Sequence, residues 1–127
     1  METNNGILYK MNPPLREPGA PQKLVELLRN GEISWIETDH APHTYEEKTS
    51  NGYVSGLPGL PWWPLFDEFL VQRGFTEQQR RKVTFDNAAE RFGIDITRRV
   101  MDVKDLSGRT EYAFNPYRAL EETLGWK

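Results

Sequence analysis

Two short apolar runs frame the first forty residues. Residues Gly6–Met11 ("GILYKM") and Ile33–Thr38 ("ISWIET") carry apolar and β-prone side chains over five or six positions, the length of a strand. Between them "NPPLREPGAP" places four prolines in ten residues, which excludes regular structure and forces a loop. Pro21 suits the first turn of a helix. Leu24, Val25, Leu27 and Leu28 give that helix one apolar stripe, and Asn30-Gly31 closes it. The order strand, loop, helix, strand over about thirty residues is that of a βαβ unit with a parallel pair.

From His40 to Pro61 the periodicity disappears and the chain reads as a loop punctuated by Pro42, Gly52, Gly56, Pro58 and Gly59. A helix restarts near Pro64, with Leu65, Phe66, Phe69 and Leu70 on one face and Gly74 as its stop. Thr76 with Gln79 forms a capping-box pattern for a short helix. "TFDNAAERFG" predicts another, capped by Thr84 or Asp86 and ended at Gly93. Farther on, "RRVMDVKDLSGR" suits a strand and a turn at Ser107-Gly108, and "NPYRALEETLGWK" a terminal helix or a frayed tail. Parallel strands need neighbours on both sides, so two or three strands make part of an α/β sheet, not a whole one.

Composition narrows the chemistry. Hydrophobic residues make up 37% of 127 and charged residues 28%, with a mean hydropathy of −0.72, which allows one modest core. The net charge of −3 gives no electrostatic reason to expect nucleic acid or an anionic membrane as partner. Without cysteine there is no disulfide, thiolate metal site or cysteine nucleophile. No apolar run reaches the ~20 residues of a membrane span. The N-terminus lacks the pattern of a secretory signal, so a soluble cytoplasmic protein is expected.

Both histidines fall in "TDHAPH" (Thr38–His43), at the end of the second apolar run. In parallel α/β folds, working residues gather at the C-terminal ends of strands. Asp39 sits there after the second run and Asn12 after the first, so the βαβ reading turns both toward one pocket. A carboxylate at a strand end can bind a divalent metal and carry a proton, and an imidazole four residues on can donate to a substrate carbonyl or carboxylate. A catalytic zinc takes three protein ligands plus water, and His40 could join Asp39 and His43 only by breaking a strand's alternation, so these residues are not expected to make a full site. Plainer roles compete: an Asx turn at Asp39-His40, a loop start at Asn12, a turn-rich linker in "GLPGLP", packing for Trp62 and Trp63, and a solvated turn at Glu46-Glu47-Lys48.

Taken together, "KMNPPLR", "TDHAPH" followed by "EEK", "SGLPGL" and "NAAERFGI" occur in an order that resembles dihydroorotase, of the amidohydrolase superfamily of metal-dependent (β/α)8 barrels. The resemblance spans roughly residues 6 to 94. It implies an α/β fold, the C-terminal portion of a TIM-type barrel, with strands 7 and 8 and their helices in residues 1–94 and an extension in 95–127. It implies reversible interconversion of dihydroorotate and N-carbamoyl-aspartate in pyrimidine biosynthesis. Asp39 would be a metal ligand and the general acid/base, passing a proton to the departing amide nitrogen. His43 and Asn12 would bind substrate, and the Ser55-Gly56 backbone would close over the ring. His40 would be structural. The metal would be divalent, zinc in the first instance, with its other ligands absent from this chain. The expectation is therefore a fragment, inactive alone, that self-associates or pairs with a second chain. The alternatives are a non-catalytic assembly module derived from the barrel, and an allantoinase- or hydantoinase-like hydrolase.

Overall fold

The computed structural model describes residues 6–50, 53–95 and 114–126. The chain divides into two compact units that interleave along the sequence, one holding residues 6–15, 38–66 and 114–126, the other 16–37 and 67–95.

In the first unit, Gly6–Tyr9 forms a 3₁₀ turn that buries Leu8. Helix α2, Tyr45–Thr49, follows the proline of the histidine segment. A 3₁₀ turn at Leu60–Trp62 then leads into α3, Trp63–Gln72, whose first residues belong here. Trp62 and Leu65 are buried. The closing segment packs on Trp62: α6, Arg118–Leu124, brings Glu121 to accept from the Trp62 indole N–H at 2.9 Å, and the Tyr117 ring lies 5.2 Å from that of Trp62. Asn115 donates to the other Glu121 oxygen at 2.6 Å and accepts from the Tyr117 N–H. The terminal helix is thus held in place, and Trp62 is a packing residue.

The second unit opens with α1, Ala20–Arg29, where Pro21 stands in the first turn and Asn30 and Gly31 end the helix. Leu28, Leu70, Phe75, Val83 and Ala89 are its buried apolar residues. Arg29 stacks over Phe75 and donates to the carbonyl of Arg73. Helix α4, Glu77–Arg81, begins with the expected capping box: Thr76 accepts from the Gln79 N–H and Gln79 from the Thr76 N–H.

Two expectations are corrected here. The helix around "TFDNAAERFG" has no cap of its own. Residues Lys82–Asp86 form a π turn, with the Asn87 N–H reaching back to the Lys82 carbonyl, and α5, Asn87–Phe92, continues to Gly93. Neither glycine nor proline interrupts residues 77–92, so the chain has no reason to leave the helix. Thr84 instead donates to the Arg80 carbonyl, and Asp86 accepts from Arg81.

The larger correction concerns the sheet. Among the described residues there is no strand, and the pairing is one isolated parallel bridge, His40 with Leu57. The run Gly6–Met11 is partly 3₁₀, and Ile33–Thr38 forms no regular element. β-prone side chains form a strand only when neighbours take up the backbone N–H and C=O groups. Here Ile36 donates to the Val83 carbonyl inside the π turn, and Asn87 caps the Ser34 carbonyl. The strand-and-turn reading of "RRVMDVKDLSGR" lies outside the described residues.

Candidate functional site

The site is built from backbone first. Asp39 directly follows the Ile33–Thr38 segment, is exposed, and has φ 42°. Aspartate tolerates this left-handed region better than most residues but still bears about 1 kcal/mol of strain there. The chain then turns. Ala41 donates to the Leu57 carbonyl at 3.0 Å, and His40 Nδ1 accepts from the Leu60 N–H at 3.2 Å. His40 serves the loop.

His43 is half-buried and leads into α2. Thr44 caps that helix: its hydroxyl accepts from the Glu47 N–H at 3.2 Å, while Glu47 Oε2 accepts from the Thr44 N–H at 2.9 Å. The same Oε2 lies 3.4 Å from His43 Nδ1. The Thr44 N–H foremost holds the Glu47 carboxyl below the usual glutamate value; desolvation opposes it, and hydrogen bonds from His43 and the Thr44 side chain and the His43 charge add to the lowering. The sequence reading passed over this helix although "TYEE" offers Thr and Glu at the spacing that marks Thr76 and Gln79.

Lys48 is the larger surprise. Read as part of a solvated turn, it is 1% exposed. Its Nζ donates to the carbonyls of Gly56 at 2.6 Å, Lys10 at 3.3 Å and Val54 at 3.4 Å. Burial, and secondarily the charge of Lys10, push this ammonium below the usual lysine value. Glu46 and Glu47 remain exposed, as a solvated turn requires.

Gly56 closes the arrangement. It sits at φ 138°, and its N–H donates to the Lys10 carbonyl at 3.0 Å. A Cβ here would stand 2.6 Å from the Ala41 oxygen and 3.1 Å from the His43 ring. At Gly59 a Cβ would collide with the Thr38 carbonyl. "GLPGLP" is therefore a close-packed strap against Thr38–His43, not a slack linker.

The structure thus brings Ser55-Gly56 and His43 together directly. Asn12 is tied in through Lys10, two residues before it, and Asp39 through Ala41, two residues after it. Asn12 itself is exposed and precedes a cis peptide bond to Pro13.

The metal expectation can be tested on the donor set. Among the described residues, no group of three or more His, Asp or Glu side chains is placed to hold an ion. His40 Nδ1 accepts from the Leu60 N–H and His43 Nδ1 faces Glu47, and neither imidazole is gathered with Asp39 into a three-ligand group. These residues alone do not fit a resident metal.

Comparison with known proteins finds similar sequences but no matching family model or solved structure. The similar sequences are curated dihydroorotases. The chain is 42% identical over 90 residues to the dihydroorotase of Bacillus licheniformis, covering 68% of this chain and 21% of the relative. It is 36% identical over 132 residues to that of Geobacillus sp. strain WCH70, covering 94% of this chain and 31% of the relative. To the Bacillus subtilis enzyme it is 46% identical over 69 residues. The resemblance to dihydroorotase is thereby shown across nearly the whole chain, and the matched stretch spans about a sixth to a third of the length of these relatives.

Proposed function

We propose that this chain forms part of a dihydroorotase-like cyclic amide hydrolase of pyrimidine biosynthesis, interconverting dihydroorotate and N-carbamoyl-aspartate. The observation that carries this reading is the convergence of three of the four motifs that resemble the family. Lys10, Ala41–His43 and Ser55-Gly56 meet in one backbone assembly inside a chain 36% identical to a dihydroorotase over almost its full length. In that reading Asp39 would take a proton from the water or hydroxide that attacks the ring carbonyl and pass it to the departing amide nitrogen. His43 hydrogen-bonds the carboxylate side of the substrate, Asn12 binds it from the neighbouring segment, and the Ser55-Gly56 backbone lies over the ring.

Residues 1–94 would form the last part of a (β/α)8 barrel, with 95–127 as an extension. Residues 6–11 and 33–38 would become strands 7 and 8 once neighbouring strands are supplied. Asp39 would be one ligand of a divalent metal, zinc by the family resemblance, the other ligands coming from outside this chain. The cytoplasm is the compartment that suits this chemistry.

The test is complementation. The chain is assayed with dihydroorotate and zinc, alone and mixed with the Bacillus subtilis dihydroorotase deleted of its matching segment. Alone, it should not exceed a metal-only blank. The mixture should turn over substrate, and Asp39→Ala should lower that rate at least ~10²-fold. Turnover by the isolated chain, or by the mixture regardless of Asp39, overturns the reading.

A further inference from the structure

Lys48 takes no part in the chemistry just proposed, yet it is among the most buried side chains in the molecule. Among the described residues no carboxylate pairs with it. An unpaired ammonium out of water is costly unless its donors are satisfied, whereas an aliphatic residue would fill the same space without that cost. The donors are satisfied by count: an ammonium has three N–H groups, and three carbonyls, of Lys10, Val54 and Gly56, surround Nζ. A neutral amine has two N–H groups and would aim a lone pair at the third oxygen. The three acceptors come from two separate stretches of chain, at distances of 38, 6 and 8 residues along the sequence. The Lys10 carbonyl also accepts from the Gly56 N–H. Charge at this point therefore fixes the segment leading to Asn12 and both flanks of Ser55 relative to α2, which begins beside His43.

We propose that Lys48 is a positioning residue, whose buried ammonium gathers the carbonyls of Lys10, Val54 and Gly56 and so sets the Ser55-Gly56 backbone against His43. The link to a substrate rests on the proposed function; the clamp itself does not.

The absence of cysteine permits a direct test. Lys48→Cys introduces a single thiol, alkylated in denaturant before refolding. 2-Bromoethylamine restores an ammonium at lysine length, and 1-bromopropane gives a side chain of the same length without charge. Amide exchange is read at Gly56 and Ala41, whose N–H groups bond Lys10 and Leu57, with α1 and α5 amides as the control for folding. The ammonium form should match the unaltered chain. The propyl form should lose about tenfold or more protection at Gly56 and Ala41 while α1 and α5 keep theirs. Equal protection in the two forms overturns the proposal, since Lys48 would then only fill space.

Should neither form refold, the unmodified chain decides by nitrogen NMR. The Lys48 ammonium should exchange with solvent far more slowly than that of exposed Lys23, and equal rates overturn the clamp. In an active complemented assembly, Lys48→Met should raise KM about tenfold with a smaller change in kcat. An unchanged KM removes the positioning role and leaves the proposed function standing. If the unaltered chain never complements, the proposed function fails, and the exchange measurement still decides the clamp.

Discussion

Glycine at position 56 is constrained twice, by conformation and by space. Its φ of 138° lies where L side chains are strained, and the nearest obstacle to a Cβ is the Ala41 carbonyl, backbone that cannot swing aside. Gly56→Ala should therefore destabilise the chain by about 2–4 kcal/mol, from local strain plus overpacking. Gly6→Ala, with nothing within 4 Å of a Cβ, is the matched control and should be near neutral. Denaturant midpoints measured on both check this, and equal midpoints would contradict the packing. The need for glycine in a closely approached loop was legible in "SGLPGL". Lys48 was not. A lysine beside two glutamates reads as solvated, and its carbonyl partners come from other stretches of chain, where local pattern carries no information.

Helices α1, α3 and α4 were legible because their signals are local. Pro21 and Asn30-Gly31 bound α1, Gly74 follows α3, and Thr76 caps α4 through bonds that span three residues. The strands were not, because a strand is defined by its neighbours. Ile33–Thr38 has the right side chains but meets Val83 in place of a ladder. Helix α2 makes a prediction at this scale. Glu47 holds it through the Thr44 N–H, and its carboxyl titrates below the ordinary value, so the folded form binds that proton less readily than the unfolded chain. The stabilisation is then fully present above the ordinary glutamate value of 4.5 and is lost as pH falls through the lowered folded value. Amide shifts of Thr44–Lys48 should move toward coil values in that acid window. Thr44→Ala should produce part of the same loss at neutral pH, by about 1 kcal/mol. Acid-insensitive α2 shifts would remove Glu47 from this role.

At the scale of the whole molecule, the question is what covers the apolar surface. Helix α1 has an amphipathic stripe, yet Leu28 is buried while Leu24 is 52% exposed. Phe92 and Ile94 are 65% and 55% exposed at the end of α5. Trp35, in the Ile33–Thr38 segment that forms no strand, lies against Phe92. Single exposed apolar residues are ordinary, but exposure of Leu24, Phe92 and Ile94 together with a β-prone segment in no strand makes association favourable. The relatives are three to six times longer than the stretch they share with this chain, so in them further polypeptide is available to cover such surfaces. Sedimentation should show the weight-average mass rising with concentration. Leu24→Gln with Ile94→Gln should shift that rise to higher concentration while changing folding stability by no more than about 1 kcal/mol, since both side chains are already mostly in water. A constant monomer mass at high micromolar concentration would mean that these faces need no partner. It would weaken the reading of the chain as part of a larger barrel, leaving Lys48 and its loop to be tested separately.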